Sequence, residues 1–275
     1  MNRYATYATY ATIVFALTIF LTACTTTPMT SQTSATAIKD LAPSGKLRAA
    51  INFGNPILAT KDPATGDARG VSVDLSRELA RRLGVPLEVV TFSAAGKVVE
   101  GATTNMWDVG FVAIDPKRAM DMDYSAAYVV IEGAYMVPEA SAITRNEDVD
   151  RAGIRVVVGA GSAYDLHLSR ELKNAKLVRA PTSPAVTDMM VADKIEVAAG
   201  VKQQLQADAK RIPGVRLLDG RFMVINQAMA TPKGRAAGAK YLAEFVEEMK
   251  ASGFVADALK RHKIEGAAIA PLAGK

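Results

Sequence analysis

Residues 127–137 read "AYVVIEGAYMV", a run of apolar, β-branched and aromatic residues broken only by Glu132-Gly133. The composition predicts a long β-strand. A glutamate inside such a strand is costly unless it faces solvent or a site. The run is decisive because the chain on either side of it alternates between strand and helix patterns. On its N-terminal side "KLRAAINF" (46–53), "LEVVTF" (87–92) and "DVGFVAI" (108–114) are predicted strands. Between them "VSVDLSRELARRLGV" (71–85) puts Val71, Leu75, Leu79 and Leu83 on one helical face and stops at Gly84. A shorter helix is expected over 97–105.

A second series follows, with strands predicted at "IRVVVG" (154–159), "KLVRA" (176–180) and "EVAAG" (196–200). Ser162 opens a helix with Asp165 three residues on, a capping-box spacing. Ser183-Pro184 has the form of an N-cap with proline at the first helical position. A helix is expected over 201–211, a second long strand at "FMVINQAMA" (222–230), and one or two helices over 234–262. Strands alternating with helices imply a parallel α/β sheet. Two such series joined by two long strands predict an α/β fold of two lobes. Residues 45–131 with 228–275 would form the first lobe and 132–227 the second. Such sheets bind ligands beyond the carboxyl ends of their strands, here the cleft between lobes.

One stretch at such a strand end stands out. "WDVGFVAIDPKRAMDMDYS" (107–125) runs from an apolar strand into Asp115-Pro116-Lys117-Arg118. Arg118 is either a solvated surface residue or the fork of an anion site built on the strand end and first turn.

Three segments carry a resemblance: "GVSVDLSRELARRLGVPLEVV", "WDVGFVAIDPKRAMDMDYSAAYVV" and "IRVVVGAGSAYDL". In this order they resemble the family 3 extracellular solute-binding proteins, the receptors of polar amino-acid ABC importers, over about residues 45–262. The resemblance implies the two-lobe type II periplasmic-binding-protein fold, with a cleft that closes by hinge motion near 130–135 and 223–228. It implies that Arg118 grips a ligand carboxylate, and that the backbone N–H groups of Gly161-Ser162 hold its other side at a helix N-terminus. Ser162 also reads as a plain N-cap.

The chain departs from the family pattern in ways that bear on the ligand. Asp108 to Arg118 is about two residues shorter, and Ala113 and Asp115 stand where hydroxyl residues are usual. Gly200-Val201-Lys202 stands where the acidic partner of the ligand ammonium belongs, and Gly54 replaces a stacking aromatic. Two readings are open for Glu132, a substitute ammonium partner or a hinge residue facing water. Two are also open for Lys202, a partner for a second anionic group or a solvated helix start. An alternative function on the same fold is a carboxylate-binding enzyme similar to the exported cyclohexadienyl dehydratases, with Glu132 as general acid. Another is a periplasmic sensor that does not serve transport.

"GAGSAYD" (159–165) fails as a dinucleotide fingerprint, because Tyr164 takes the third glycine position and Arg179 ends the next strand. Net charge is +5 without a basic stripe interleaved with aromatics, so no nucleic acid partner is expected. The single cysteine allows no intrachain disulfide, and His167 and His262 are too far apart for a short-spaced metal motif. No cofactor or metal is expected, and a monomer is.

That cysteine lies in "LTAC", residues 21–24, at the end of a short apolar run, Ile13 to Leu21, preceded by Arg3. The run is shorter than the ~20 residues that span a bilayer, so residues 1–24 are expected to be a lipoprotein signal peptide with Cys24 lipidated. Residues 25–44, beginning with a Ser/Thr-rich stretch, are expected to be a flexible tether. Thr25 favours the outer membrane. The expectation is a lipid-anchored receptor on the periplasmic face that closes on a small carboxylate-bearing solute, an amino acid or related organic acid, and hands it to an ABC permease.

Overall fold

The computed structural model describes residues 35–274. The leader, Cys24 and the first part of the tether lie outside the described residues. In chain order the elements are α1 (Ala35–Leu41), β1 (Leu47–Asn52), β2 (Thr60–Lys61), β3 (Ala68–Arg69), α2 (Val71–Leu83), β4 (Leu87–Phe92), α3 (Ala95–Thr103), β5 (Val109–Ala113), β6 (Met122–Pro138), β7 (Arg155–Gly159), α4 (Ala163–Glu171), β8 (Lys176–Ala180), α5 (Val186–Ala192), β9 (Val197–Val201), α6 (Lys202–Arg211), β10 (Val215–Leu217), β11 (Met223–Pro232), α7 (Ala236–Ala251), α8 (Phe254–Arg261) and β12 (Ala268–Ile269).

The main sheet runs β4-β1-β5-β11-β6-β9-β7-β8, with β10 and β12 added beside β6. At one end β1 is parallel to β4 and β5, and at the other β7 is parallel to β8 and β9. The two long strands between them are antiparallel to each other and to their outer neighbours. This is the predicted α/β architecture of two lobes. Strand β6 is 17 residues long and changes partner along its length. It pairs with β11 from Met122 to Gly133 and with β9 from Gly133 to Met136. Two register shifts break the β11–β6 ladder on either side of Ala228.

The helical face read from the sequence is buried as expected: Val71, Leu75 and Leu79 are inaccessible and Leu83 nearly so. Gly84 adopts the left-handed conformation and its N–H bonds back to Arg81, ending α2. Ser162 caps α4, its hydroxyl accepting the Asp165 N–H at 3.0 Å.

Two local expectations need correction. Residues 35–41, assigned to the tether, form α1 with Ala37 and Leu41 buried. The Asp40 carboxylate accepts the Gly238 N–H at 2.9 Å, so α1 satisfies an orphan donor in the first turn of α7. A seven-residue helix with two apolar contacts has too little periodicity to stand out in the sequence. Ser183 is not the cap of α5. A 3-10 turn, Ser183–Ala185, follows Thr182, and α5 begins at Val186.

Asp108 holds the first lobe together at the entry to β5. Its carboxylate is fully buried and accepts from Arg48 Nε at 2.9 Å, Arg48 Nη2 at 2.8 Å and Arg235 Nη1 at 2.8 Å. The two arginines come from β1 and from the residue preceding α7. Across the cleft the lobes touch at two glycines, Gly96 at the start of α3 and Gly161 after β7. Gly161 has φ +67°, and a Cβ there would lie 2.8 Å from Gly96 Cα. A Cβ on Gly96 would meet Gly161 Cα at 3.4 Å, an ordinary contact.

Removing the Asp108 charge strands two arginines. Asp108→Asn is therefore expected to lower stability by about 3 kcal/mol, read as a lower urea midpoint at unchanged m. Gly161→Ala is expected to cost about 1–2 kcal/mol from its left-handed backbone, and also to hold the lobes apart, seen as a larger radius of gyration in small-angle scattering. Gly96→Ala should change neither.

Candidate functional site

The carboxyl ends of β1, β5, β7 and β9 converge on a cavity of about 50 Å³ between the lobes. Of the residues singled out in the sequence, Arg118, Ala113 and Ser162 line it. Strand β5 is buried along its whole length and delivers Ala113 to the cavity. Pro116 and an Asx turn, in which Asp115 Oδ1 accepts the Lys117 N–H at 2.9 Å, then bend the chain back. The bend places Arg118 at the start of a single 3-10 turn, Arg118–Met120.

Arg118 is 2% exposed. Its Nη1 donates to the Ala113 carbonyl at 3.0 Å and its Nη2 to the Gly161 carbonyl at 2.8 Å, so one side chain ties both lobes. Its Nε is buried without a hydrogen-bond partner. Among the described residues no carboxylate oxygen lies within 4.0 Å of the guanidinium. Burial pushes its pKa below the ordinary arginine value, with Tyr124 and Asp115 opposing. Asp115, close in sequence, is engaged with Arg170 on α4 at 2.9 Å, a second tie across the cleft. Arg118 is a desolvated cation whose only acceptors among the described residues are carbonyl dipoles.

The Gly161-Ser162 backbone is placed beside Arg118, but its N–H groups are already taken. Gly161 N–H donates to Asp165 Oδ2 at 2.9 Å and Ser162 N–H to the Gly159 carbonyl at 3.0 Å. In this closed arrangement Gly161 contributes its carbonyl to Arg118 and no free donor to the cavity. The cause is Asp165, buried in the first turn of α4 and turned back onto the loop.

Glu132 and Lys202 do not line the cavity. The β6–β9 register sets Gly133 opposite Val201, which brings their neighbours Glu132 and Lys202 together at 3.1 Å. Arg221 completes the cluster, 2.6 Å from the other Glu132 oxygen. Arg221 and Lys202 hold the Glu132 carboxyl below its ordinary pKa. A general acid needs the opposite shift.

Several cavity residues were missed in the sequence. Asn52 and Asn55 come from the end of β1 and its loop, Ser72 from α2, Ser183 from the turn before α5, and Gln227 from β11. Gln227 did carry a signal, because an amide inside the apolar run 222–230 raises the question asked of Glu132. Gly54 lines the cavity without an aromatic side chain, and the aromatic walls come from Phe111 and Tyr164. Burial raises the Tyr164 phenol pKa. Among the described residues no group of three or more His, Cys, Asp or Glu is placed to hold a metal ion, and no helix is long and apolar enough to cross a membrane.

Similar folds are found among solved binding proteins. A mutant of ArgBP from T. maritima superposes with a TM-score of 0.70 at 21% identity, covering 82% of this chain and 98% of that one. The cysteine-binding protein from Campylobacter jejuni gives 0.71 at 18% identity, covering 82% and 92%. An ancestral amino acid-binding protein, a precursor of cyclohexadienyl dehydratase, gives 0.69 at 21% identity, covering 82% and 98%. Identities this low establish the shared fold alone. Among curated proteins none matches the sequence at a significant level. The family profile of the bacterial extracellular solute-binding proteins, family 3, matches residues 47–263, which cover both lobes and both connecting strands, and the chain belongs to that family.

Proposed function

We propose that this chain is a lipid-anchored extracytoplasmic receptor that closes its lobes on a small carboxylate-bearing solute and delivers it to an ABC permease. The observation that carries the reading is Arg118. Leaving a buried guanidinium without a counter-charge is costly, and a ligand carboxylate accepting from Nε and a neighbouring Nη would remove most of that cost. Because Arg118 also bonds Gly161 of the second lobe, filling the site and closing the cleft are one event. The proposed hinges are the β6 and β11 segments near 130–135 and 223–228. Family membership supports the transport role, and similar folds named for arginine and cysteine binding are in keeping with a small polar solute. Lipidation of Cys24 rests on the sequence "LTAC".

A thermal-shift screen of the purified protein with pools of carboxylic acids, amino acids and uncharged solutes tests this. A ligand at a hundred times its Kd adds about 2.7 kcal/mol of stability, and a hit is expected only in pools carrying a carboxylate. Arg118→Ala should then weaken the hit by about 2–4 kcal/mol in calorimetry while the variant remains folded. Unchanged affinity in that variant would remove Arg118 from the site.

A further inference from the structure

The charges around the cavity point to a narrower ligand class. Arg118 is the one charged side chain among the described lining residues. The remaining polar groups are neutral amides and hydroxyls, notably Asn52, Asn55, Gln227, Ser72 and Ser183, and no Asp or Glu joins them. The acids nearby in the fold are spent elsewhere. Asp115 is held by Arg170 and the Lys117 N–H, and Asp165 by the Gly161 N–H and Arg179. Glu132 is held by Lys202 and Arg221. The carbonyls of Ala113 and Gly161, which could otherwise accept from an ammonium, already accept from Arg118. At the carboxyl end of β9 the cavity meets the apolar Val201.

An α-amino acid brings one positive charge for each carboxylate. Closing this cleft on it would desolvate an ammonium beside a guanidinium, with no anion to offset either cost beyond the ligand's own. A carboxylate without an amine meets no such penalty. Its second polar group, if neutral, has a partner ready. Gln227 is 6% exposed and lines the cavity. It is the register partner of Ala113, the residue whose carbonyl holds Arg118. A primary amide both donates and accepts, which suits a hydroxyl or keto oxygen close to the carboxylate.

We infer that the site selects an amine-free carboxylate bearing a neutral oxygen, of the 2-hydroxy or 2-keto acid class, over the matching zwitterionic amino acid. This rests on the reading of Arg118 as the carboxylate clamp.

The test is a calorimetric titration of the purified protein with sets matched in carbon skeleton: glycolate, glyoxylate and glycine, then lactate, pyruvate and alanine, then longer homologues. In at least one set the hydroxy or keto acid is expected to bind about tenfold or more tightly than the amino acid. Val201→Asp, which adds a carboxylate at the cavity wall, should erase or reverse that preference. If it fails to fold, the comparison on the unaltered protein still decides. An amino acid binding as tightly as its amine-free partner, with binding lost in Arg118→Ala, would overturn the ligand class and leave the clamp standing. Binding of no carboxylate, or binding indifferent to Arg118→Ala, would overturn the clamp and this inference together.

Discussion

A guanidinium taken out of water without an anion is among the least comfortable groups a protein can hold, and the two lobes of this chain are organised around one. Arg118 keeps its charge inside the cleft on the strength of two carbonyl oxygens, one from each lobe. Hydrogen bonds to dipoles recover part of the lost hydration, whereas a carboxylate would recover most of it. The rest of the first lobe fixes where that charge sits. Asp108, gripped by Arg48 and Arg235, pins the entry of β5, and β5 carries Ala113 and the turn to Arg118. The second lobe answers with the left-handed turn at Gly161, whose backbone reaches Gly96 and whose carbonyl reaches Arg118.

The same economy of charge explains what the site is not. The acids named near the cleft, Asp115, Asp165 and Glu132, are each engaged by an arginine, a lysine or a backbone donor. Glu132 illustrates it: within an apolar strand it suggested a ligand partner, yet Lys202 and Arg221 neutralise it outside the cavity. The result is a cavity with one cation, neutral hydrogen-bonding groups and apolar walls, which is a chemical statement about what can be enclosed there.

How far the sequence foretold this depends on the range of the interaction. Local rules worked: the spacing of Val71, Leu75, Leu79 and Leu83, the glycine stop at Gly84, and the Ser162–Asp165 cap are all settled within one or two turns. The placement of Arg118 at the cavity was legible too, since an arginine behind a strand and a proline is an unusual local pattern. Pairings over long sequence separations were not. Glu132 meets Lys202 and Arg221 only because β6 lies against β9, and the Gly161 N–H is lost to Asp165 only once α4 has formed. Helix α1 was hidden because its stability comes from α7, nearly two hundred residues away. The neutral lining groups come from separate elements, and only folding gathers them.

The claim on which all of this turns is that Arg118 waits for a carboxylate, and a structure with ligand addresses it most directly. We would crystallise the protein with the solute that most raises its melting temperature. The account predicts carboxylate oxygens at about 3 Å from Arg118 Nε and one Nη, with the lobes closed and Gly161 still beside the guanidinium. A ligand whose carboxylate lies elsewhere, or one that leaves Arg118 Nε without a partner, would contradict it.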